Sequence, residues 1–288
     1  MHRSLLVAVV IAAVAGQAAA ASPTLDRIKA TGKITFGYRA DAAPFSARQR
    51  NGSVRGYSVE LCEKVAETVR SALGLPKIDV VWKPVDSETR IADVVDRKID
   101  AECGSTTITL SRMERVDFSL PIFVDGGSAL VRAGPGAPKP APASIRDLAG
   151  KRIAVLPATT TETALRKALA VAGVTATLVT VREPGEGVKE LLGGKVDAYA
   201  SDRLLLVRLR EDSAKADDLA LLDSDFSFEP YAIVLPRGDP DFRLLVDRTL
   251  VGLYKSGAID PIFIRWLGSY GQPGALLNAM FYLNALPE

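Results

Sequence analysis

Residues 78–107 read IDVVWKPVDSETRIADVVDRKIDAECGSTT, and their pattern decides the fold class. Ile78 to Trp82 reads as a strand. Ser87 to Arg97 then carries Ile91, Val94 and Val95 at helical spacing. Ile99 to Cys103 returns to strand and runs directly into Gly104-Ser105-Thr106-Thr107. On either side the alternation continues. Upstream, Lys33 to Tyr38 alternates as a strand, and Gly56 to Leu73 repeats Tyr57, Leu61, Val65 and Val69 as a helix that stops at Gly74-Leu75-Pro76. Such alternation predicts an α/β architecture with mostly parallel sheets flanked by helices.

A Pro/Ala/Gly-rich stretch, Ala133 to Ala143 (AGPGAPKPAPA), interrupts the pattern as a surface connection. The alternation then resumes. Strands are expected at Arg152 to Leu156, Ala176 to Val181 and Val196 to Ala200, with helices at Thr160 to Ala172, at Glu186 to Leu192 and from Asp202. A late strand, Tyr231 to Leu235, precedes helices from Pro240 to Tyr254 and Pro261 to Trp266 and a tail of about twenty residues packed on the surface. Two such units predict two lobes with a cleft, where ligands collect at strand carboxyl ends and helix N-termini.

Composition removes whole classes of chemistry. The chain has 288 residues, 48% of them hydrophobic, a net charge of +2, two cysteines and one histidine. That histidine, His2, lies in an apparent export signal over residues 1–21: Arg3, an apolar run from Leu5 to Val14, and Ala18-Ala19-Ala20-Ala21 as the cleavage region. The run is shorter than the roughly 20 residues of a membrane span. Cleavage near Ala20 or Ala21 leaves a mature chain of about 267 residues without histidine. Histidine-based catalysis and histidine-ligated zinc are thereby excluded, so no catalytic residue, metal or cofactor is expected. Near-neutral charge without a basic run argues against nucleic acid. A soluble exported protein is the expectation. For Cys62 and Cys103, a disulfide and two buried thiols both remain open.

Three sites place hydroxyl or carboxylate residues directly after a strand: Glu102-Cys103-Gly104-Ser105-Thr106-Thr107 followed by Ser111-Arg112, Ala158-Thr159-Thr160-Thr161-Glu162, and Ser201-Asp202. Each alone is an ordinary helix cap. Their equivalent topological positions, with an arginine beside the first, point to a ligand site.

At these residues the sequence resembles the family-3 extracellular solute-binding proteins, the polar amino-acid receptors of bacterial ABC importers. Gly56-Tyr57-Ser58-Val59-Glu60-Leu61 is similar to one family signature. Gly104-Ser105-Thr106-Thr107 with Arg112 and Val116-Asp117-Phe118-Ser119 is similar to a second. Tyr254-Lys255-Ser256-Gly257-Ala258-Ile259 and Ile264-Arg265-Trp266-Leu267 are similar to the C-terminal pattern. Tyr38-Arg39, Pro44-Phe45-Ser46 and Ser87-Glu88-Thr89-Arg90-Ile91 resemble the glutamate/aspartate-binding subgroup. The resemblance implies a type II periplasmic-binding-protein fold with a two-strand hinge: lobe 1 over residues 24–125 and 232–288, lobe 2 over 126–231. It also implies a membrane permease as partner.

The chemistry agrees with the resemblance. An α-carboxylate suits the Arg112 fork with backbone N–H groups near Thr107 and at Thr159 and Thr160. An α-ammonium suits Asp202, the Ser105 carbonyl and the Thr107 hydroxyl. Arg39, Arg90 and Ser87 then meet a side-chain carboxylate, which gives glutamate or aspartate. In this count the cleft holds Arg39, Arg90 and Arg112 against Asp202. Phe45 is a candidate for the aliphatic part of the ligand, and Tyr57 is expected in the core. Where the resemblance implies a histidine near the distal carboxylate, this chain has Pro184, which carries no side-chain donor. The competing enzyme reading is a cyclohexadienyl (prephenate/arogenate) dehydratase, with Glu102 or Glu186 as general acid.

Overall fold

The computed structural model describes residues 22–134, 136–137 and 140–287. The expected signal segment, residues 1–21, lies outside the described residues. The chain begins with α1 (Pro23–Thr31), capped by the Ser22 hydroxyl, and β1 (Lys33–Arg39). A small antiparallel ribbon follows, of β2 (Asp41–Ala42), β3 (Ser46–Arg48) and β4 (Val54–Arg55). Next, α2 (Tyr57–Ala72) buries Leu61, Val65 and Val69. Gly56 enters α2 at φ 149°, and a Cβ there would lie 2.2 Å from the Phe45 carbonyl oxygen, so the turn demands glycine. Then come β5 (Asp79–Val85), α3 (Arg90–Val95), β6 (Ala101–Glu102), α4 (Leu110–Met113), β7 (Val116–Phe118) and β8 (Phe123–Asp125).

The second unit comprises β9 (Gly127–Arg132), β10 (Arg152–Val155), α5 (Thr160–Ala172), β11 (Thr177–Thr180), α6 (Pro184–Leu192), β12 (Ala198–Asp202), α7 (Arg203–Glu211) and β13 (Leu219–Leu221). The chain returns through β14 (Glu229–Tyr231) to β15 (Val234–Pro236), α8 (Pro240–Ser256), α9 (Ile259–Leu267) and α10 (Ala275–Leu283).

Each unit is a five-stranded sheet, ordered β5-β1-β6-β15-β7 in the first and β11-β10-β12-β9-β13 in the second. Three neighbours pair in parallel in each. The late strand β15, or the early strand β9, is inserted antiparallel, and β7 or β13 again follows the majority direction. This is the expected two-unit α/β fold, with sheets of mixed pairing. The core shows how the units divide the chain. One large apolar cluster joins Ile28, Phe36, Leu61 and Val69 to Ile233, Phe242, Leu250 and Phe281, so both ends of the chain build the first unit. Two smaller clusters lie within residues 129–222. The Ser22 hydroxyl and Thr24 N–H both donate to Asp239, which ties the two ends together. Between the units, β8 and β14 form an isolated antiparallel pair, with Asp125 opposite Glu229.

Three sequence expectations are revised and one open alternative is decided. Helix α3 begins at Arg90 rather than Ser87, because the Asp86 carboxylate accepts from the backbone of Glu88 and Thr89 and holds residues 87–89 in a turn. The single strand expected at Tyr231 to Leu235 is two, β14 and β15. Between them the N–H groups of Ala232 and Ile233 bond to the Thr106 carbonyl and the Ser119 hydroxyl. The tail contains a helix, α10, which buries Leu277, Met280 and Phe281. Cys62 and Cys103 form a disulfide that links α2 to the loop after β6. Tyr57 is buried as expected, and its hydroxyl donates to the Ile122 carbonyl at 2.8 Å.

Candidate functional site

The loops at the carboxyl ends of β1, β6 and β12 converge with the N-terminus of α5 and the β8–β14 crossing on one polar cluster. From the first unit, Arg90 enters at the start of α3 and is 3% exposed. Its Nη1 donates to Thr106 Oγ1 at 2.8 Å and lies 3.5 Å from the Ser105 carbonyl oxygen. Its Nε has no hydrogen-bond partner among the described residues. Burial, then repulsion from Arg112 and Arg39, pushes the Arg90 pKa down to about 9, leaving it cationic at neutral pH. Arg112 donates through Nη1 to the Thr107 carbonyl at 2.7 Å, which uses one of its five guanidinium N–H groups. Burial lowers its pKa too, against the pull of Glu102 and Glu229. Ser87 is buried in the turn that leads into α3.

The second unit contributes hydroxyls and a carboxylate. Thr159 caps α5: its hydroxyl accepts from Glu162 N–H at 3.1 Å and donates to the Leu156 carbonyl at 2.9 Å. Thr159 therefore offers the site its position at the helix terminus rather than its side chain. Thr160 donates to Glu229 Oε2 at 2.7 Å, beside Thr107, which donates to the same oxygen at 2.6 Å. The two threonine oxygens are 3.2 Å apart, in contact between the units. Asp202, at the end of β12, accepts from Thr161 at 2.7 Å and from the Tyr231 hydroxyl at 2.5 Å. Burial and the charge of Glu229 raise its pKa to about 6. Neighbouring Asp125 is raised to about 7 by burial and by Asp202. A cavity of about 450 Å³, lined by Thr107, Arg112, Thr160 and Glu229 among others, opens where the units meet.

The structure thus brings Arg90, Ser105, Thr107, Arg112, Thr160 and Asp202 into one network. Arg39 is also buried here, but Asp41 already holds it, Nε to Oδ1 at 2.8 Å and Nη2 to Oδ2 at 2.9 Å. Burial draws the Arg39 pKa down, yet Asp41 and Glu102 outweigh that and raise it. The count of three arginines against one aspartate is accordingly corrected: Asp41, Glu102, Asp125 and Glu229 belong to the same cluster. Glu229 is chief among the residues that sequence reasoning missed, with Asp125 and Tyr231 beside it. It stands in FSFEPY without a capping or nucleotide-type motif, and only the return of β14 beside β8 delivers it. Asp41, two residues beyond Arg39, was findable from spacing. Phe45 packs edge-on against Tyr57, Phe123 and Tyr231 and is fully buried. Pro184 opens α6 and is buried without supplying a donor.

Two α/β units joined by a two-strand crossing, with buried cationic and anionic groups between them, define a ligand-binding protein of the two-lobed class. Residues 34–269 match the bacterial extracellular solute-binding proteins, family 3, and the chain belongs to that family. It is 34% identical over 247 residues to an L-glutamate/L-aspartate-binding protein of Pseudomonas aeruginosa, covering 84% of this chain and 79% of that one. It is 32% identical over 267 residues to a glutamate/aspartate import solute-binding protein of Salmonella typhimurium, covering 93% and 86%. Among solved structures, an ancestral arginine-binding protein bound to arginine matches with a TM-score of 0.72 and 28% identity, covering 82% of this chain and 99% of that one. These named relatives are solute-binding proteins, not enzymes, and the dehydratase reading is not favoured. No helix among the described residues is long and apolar enough to cross a membrane.

Proposed function

We propose that the protein is the periplasmic receptor of an ABC importer, binding glutamate or aspartate between lobes formed by residues 24–125 with 232–288 and by residues 126–231. The observation that carries this reading is Arg90: a buried guanidinium with an unpartnered Nε, beside two further arginines and across from Asp202. An amino acid supplies what this arrangement calls for. Its α-carboxylate matches Arg112 and the N-terminus of α5, its ammonium matches Asp202, and a side-chain carboxylate matches Arg90. The glutamate/aspartate relatives support the same ligand. Contacts from both lobes favour the closed state, because only closure assembles them all, and β8 with β14 serves as the hinge. The closed receptor docks on a membrane permease as a monomer, after removal of residues 1–21 on export. Isothermal titration against the common amino acids tests the reading. Micromolar or tighter binding of glutamate or aspartate is expected; selective binding of a basic amino acid with neither acidic one defeats it.

A further inference from the structure

Glu102 is fully buried in β6, and neither of its carboxylate oxygens makes a regular hydrogen bond among the described residues. Such a group is costly unless something nearby balances it. The charges facing it are guanidiniums: burial raises its pKa, and Arg90, the Thr106 hydroxyl, Arg39 and Arg112, in that order, oppose the rise. Arg90 is the foremost of these charges, and among the described residues its Nε is likewise buried without a partner. Thr106 sits between the two, accepting from Arg90 Nη1 at 2.8 Å. The backbone makes room for the carboxylate. A Cβ on Gly104 would lie 2.1 Å from Glu102 Oε1 and 3.1 Å from Arg39 Cγ, so glycine there leaves the space that the carboxylate fills. Glu102 also acts on Arg39 and Arg112, but Asp41 already holds Arg39 in a two-point ion pair, and among the described residues Arg90 is the arginine of the three that keeps a buried, unpartnered nitrogen.

We infer that Glu102 is the built-in counter-charge of Arg90 and thereby sets the preference between acidic amino acids and their amides. This deepens the acidic-ligand reading and rests on it. An ionised Glu102 already balances much of Arg90, so a ligand carboxylate gains less there and a neutral amide loses less. Removing that charge while keeping its shape returns the full cation to the ligand. Glu102 acts through Arg90 and is a positioning residue, so its signature is a ratio rather than an overall loss.

The test is calorimetric titration of the wild type, Glu102→Gln and Glu102→Asp with glutamate and with glutamine at fixed pH and salt. Glu102→Gln should raise the glutamate-to-glutamine affinity ratio at least about tenfold, the scale of one charge interaction at an effective dielectric near 20 across roughly 12 Å and a lower bound for closer groups. Glu102→Asp, which keeps the charge, should hold the wild-type ratio. An equal change for both ligands in Glu102→Gln, or the same ratio shift in both variants, overturns the inference. Should Glu102→Gln fail to fold, Glu102→Met removes the same charge at similar length: a raised glutamate-to-glutamine ratio supports the inference and a wild-type ratio overturns it. Failure of the wild type to bind either acidic amino acid instead removes the reading beneath it, and the inference falls with that reading.

Discussion

The two units share a sheet topology but differ in how they are held and in what they bring to the cleft. The first is built from both ends of the chain around one large core, tied by Ser22 to Asp239 and stapled by Cys62–Cys103. It carries Arg39, Arg90 and Arg112. The second has smaller cores, contains no cysteine, and presents Thr160, Thr161 and Asp202. The difference teaches a division of labour: buried cations, expensive to desolvate, are mounted on the reinforced unit, while the other presents hydroxyls and a carboxylate. On the proposed reading, a zwitterion is the ligand that joins the two.

The largest effect that sharpens this contrast is on stability. Replacing both Cys62 and Cys103 with alanine should destabilise the first unit by about 4 kcal/mol, from loop-closure entropy over their separation of 41 residues. Chemical denaturation read separately in each unit should show the loss in the first; an equal loss in both would erase the mechanical difference. Next comes Asp202→Ala, expected to weaken every amino-acid ligand by about 3 kcal/mol, because it leaves Tyr231, Thr161 and the ammonium without their acceptor. Arg90→Ala should cost acidic ligands about 2 kcal/mol and neutral ones much less, as read by titration. If both substitutions act alike on all ligands, the two walls do not differ in role.

The smallest effect is on pH. The free-state pKa of Asp202 is raised to about 6, and a bound ammonium favours its ionised form. Ligand binding therefore releases a proton near that pH, and affinity falls as pH drops through about 6. The limit is about 1.4 kcal/mol per pH unit. Affinity measured between about pH 7 and pH 5 should decline by roughly tenfold, and Asp202→Asn should abolish the slope. A flat wild-type profile would show that Asp202 does not meet the ammonium.

Much of this was legible in the sequence because it is local. Helical spacing in α2 and strand-to-helix junctions at Thr107, Thr160 and Asp202 are written in neighbouring residues, and they placed the cleft. What escaped was non-local. The pairing of β8 with β14 depends on residues about a hundred positions apart, and with it came Glu229, the acceptor for both bridging threonines. Counting arginines overstated the positive charge partly for the same reason, since Asp125 and Glu229 join the cluster only through packing, and partly because Glu102, which stands in the motif beside Ser105, was left out of the count. The tail shows a third limit: α10 has no side-chain cap at Gly274, so little announces its start.

The pairing of Asp125 with Glu229 also means that everything between them enters and leaves through one doorway about 5 Å wide. The intervening hundred or so residues behave as a graft on a host that is already complete on either side of the joint. A donor relative could exchange that graft at two cuts if it restores the packing of Leu204 and Leu205 on the host core, so that one wall of the cleft is replaced as a block while the arginine-bearing wall stays as it is.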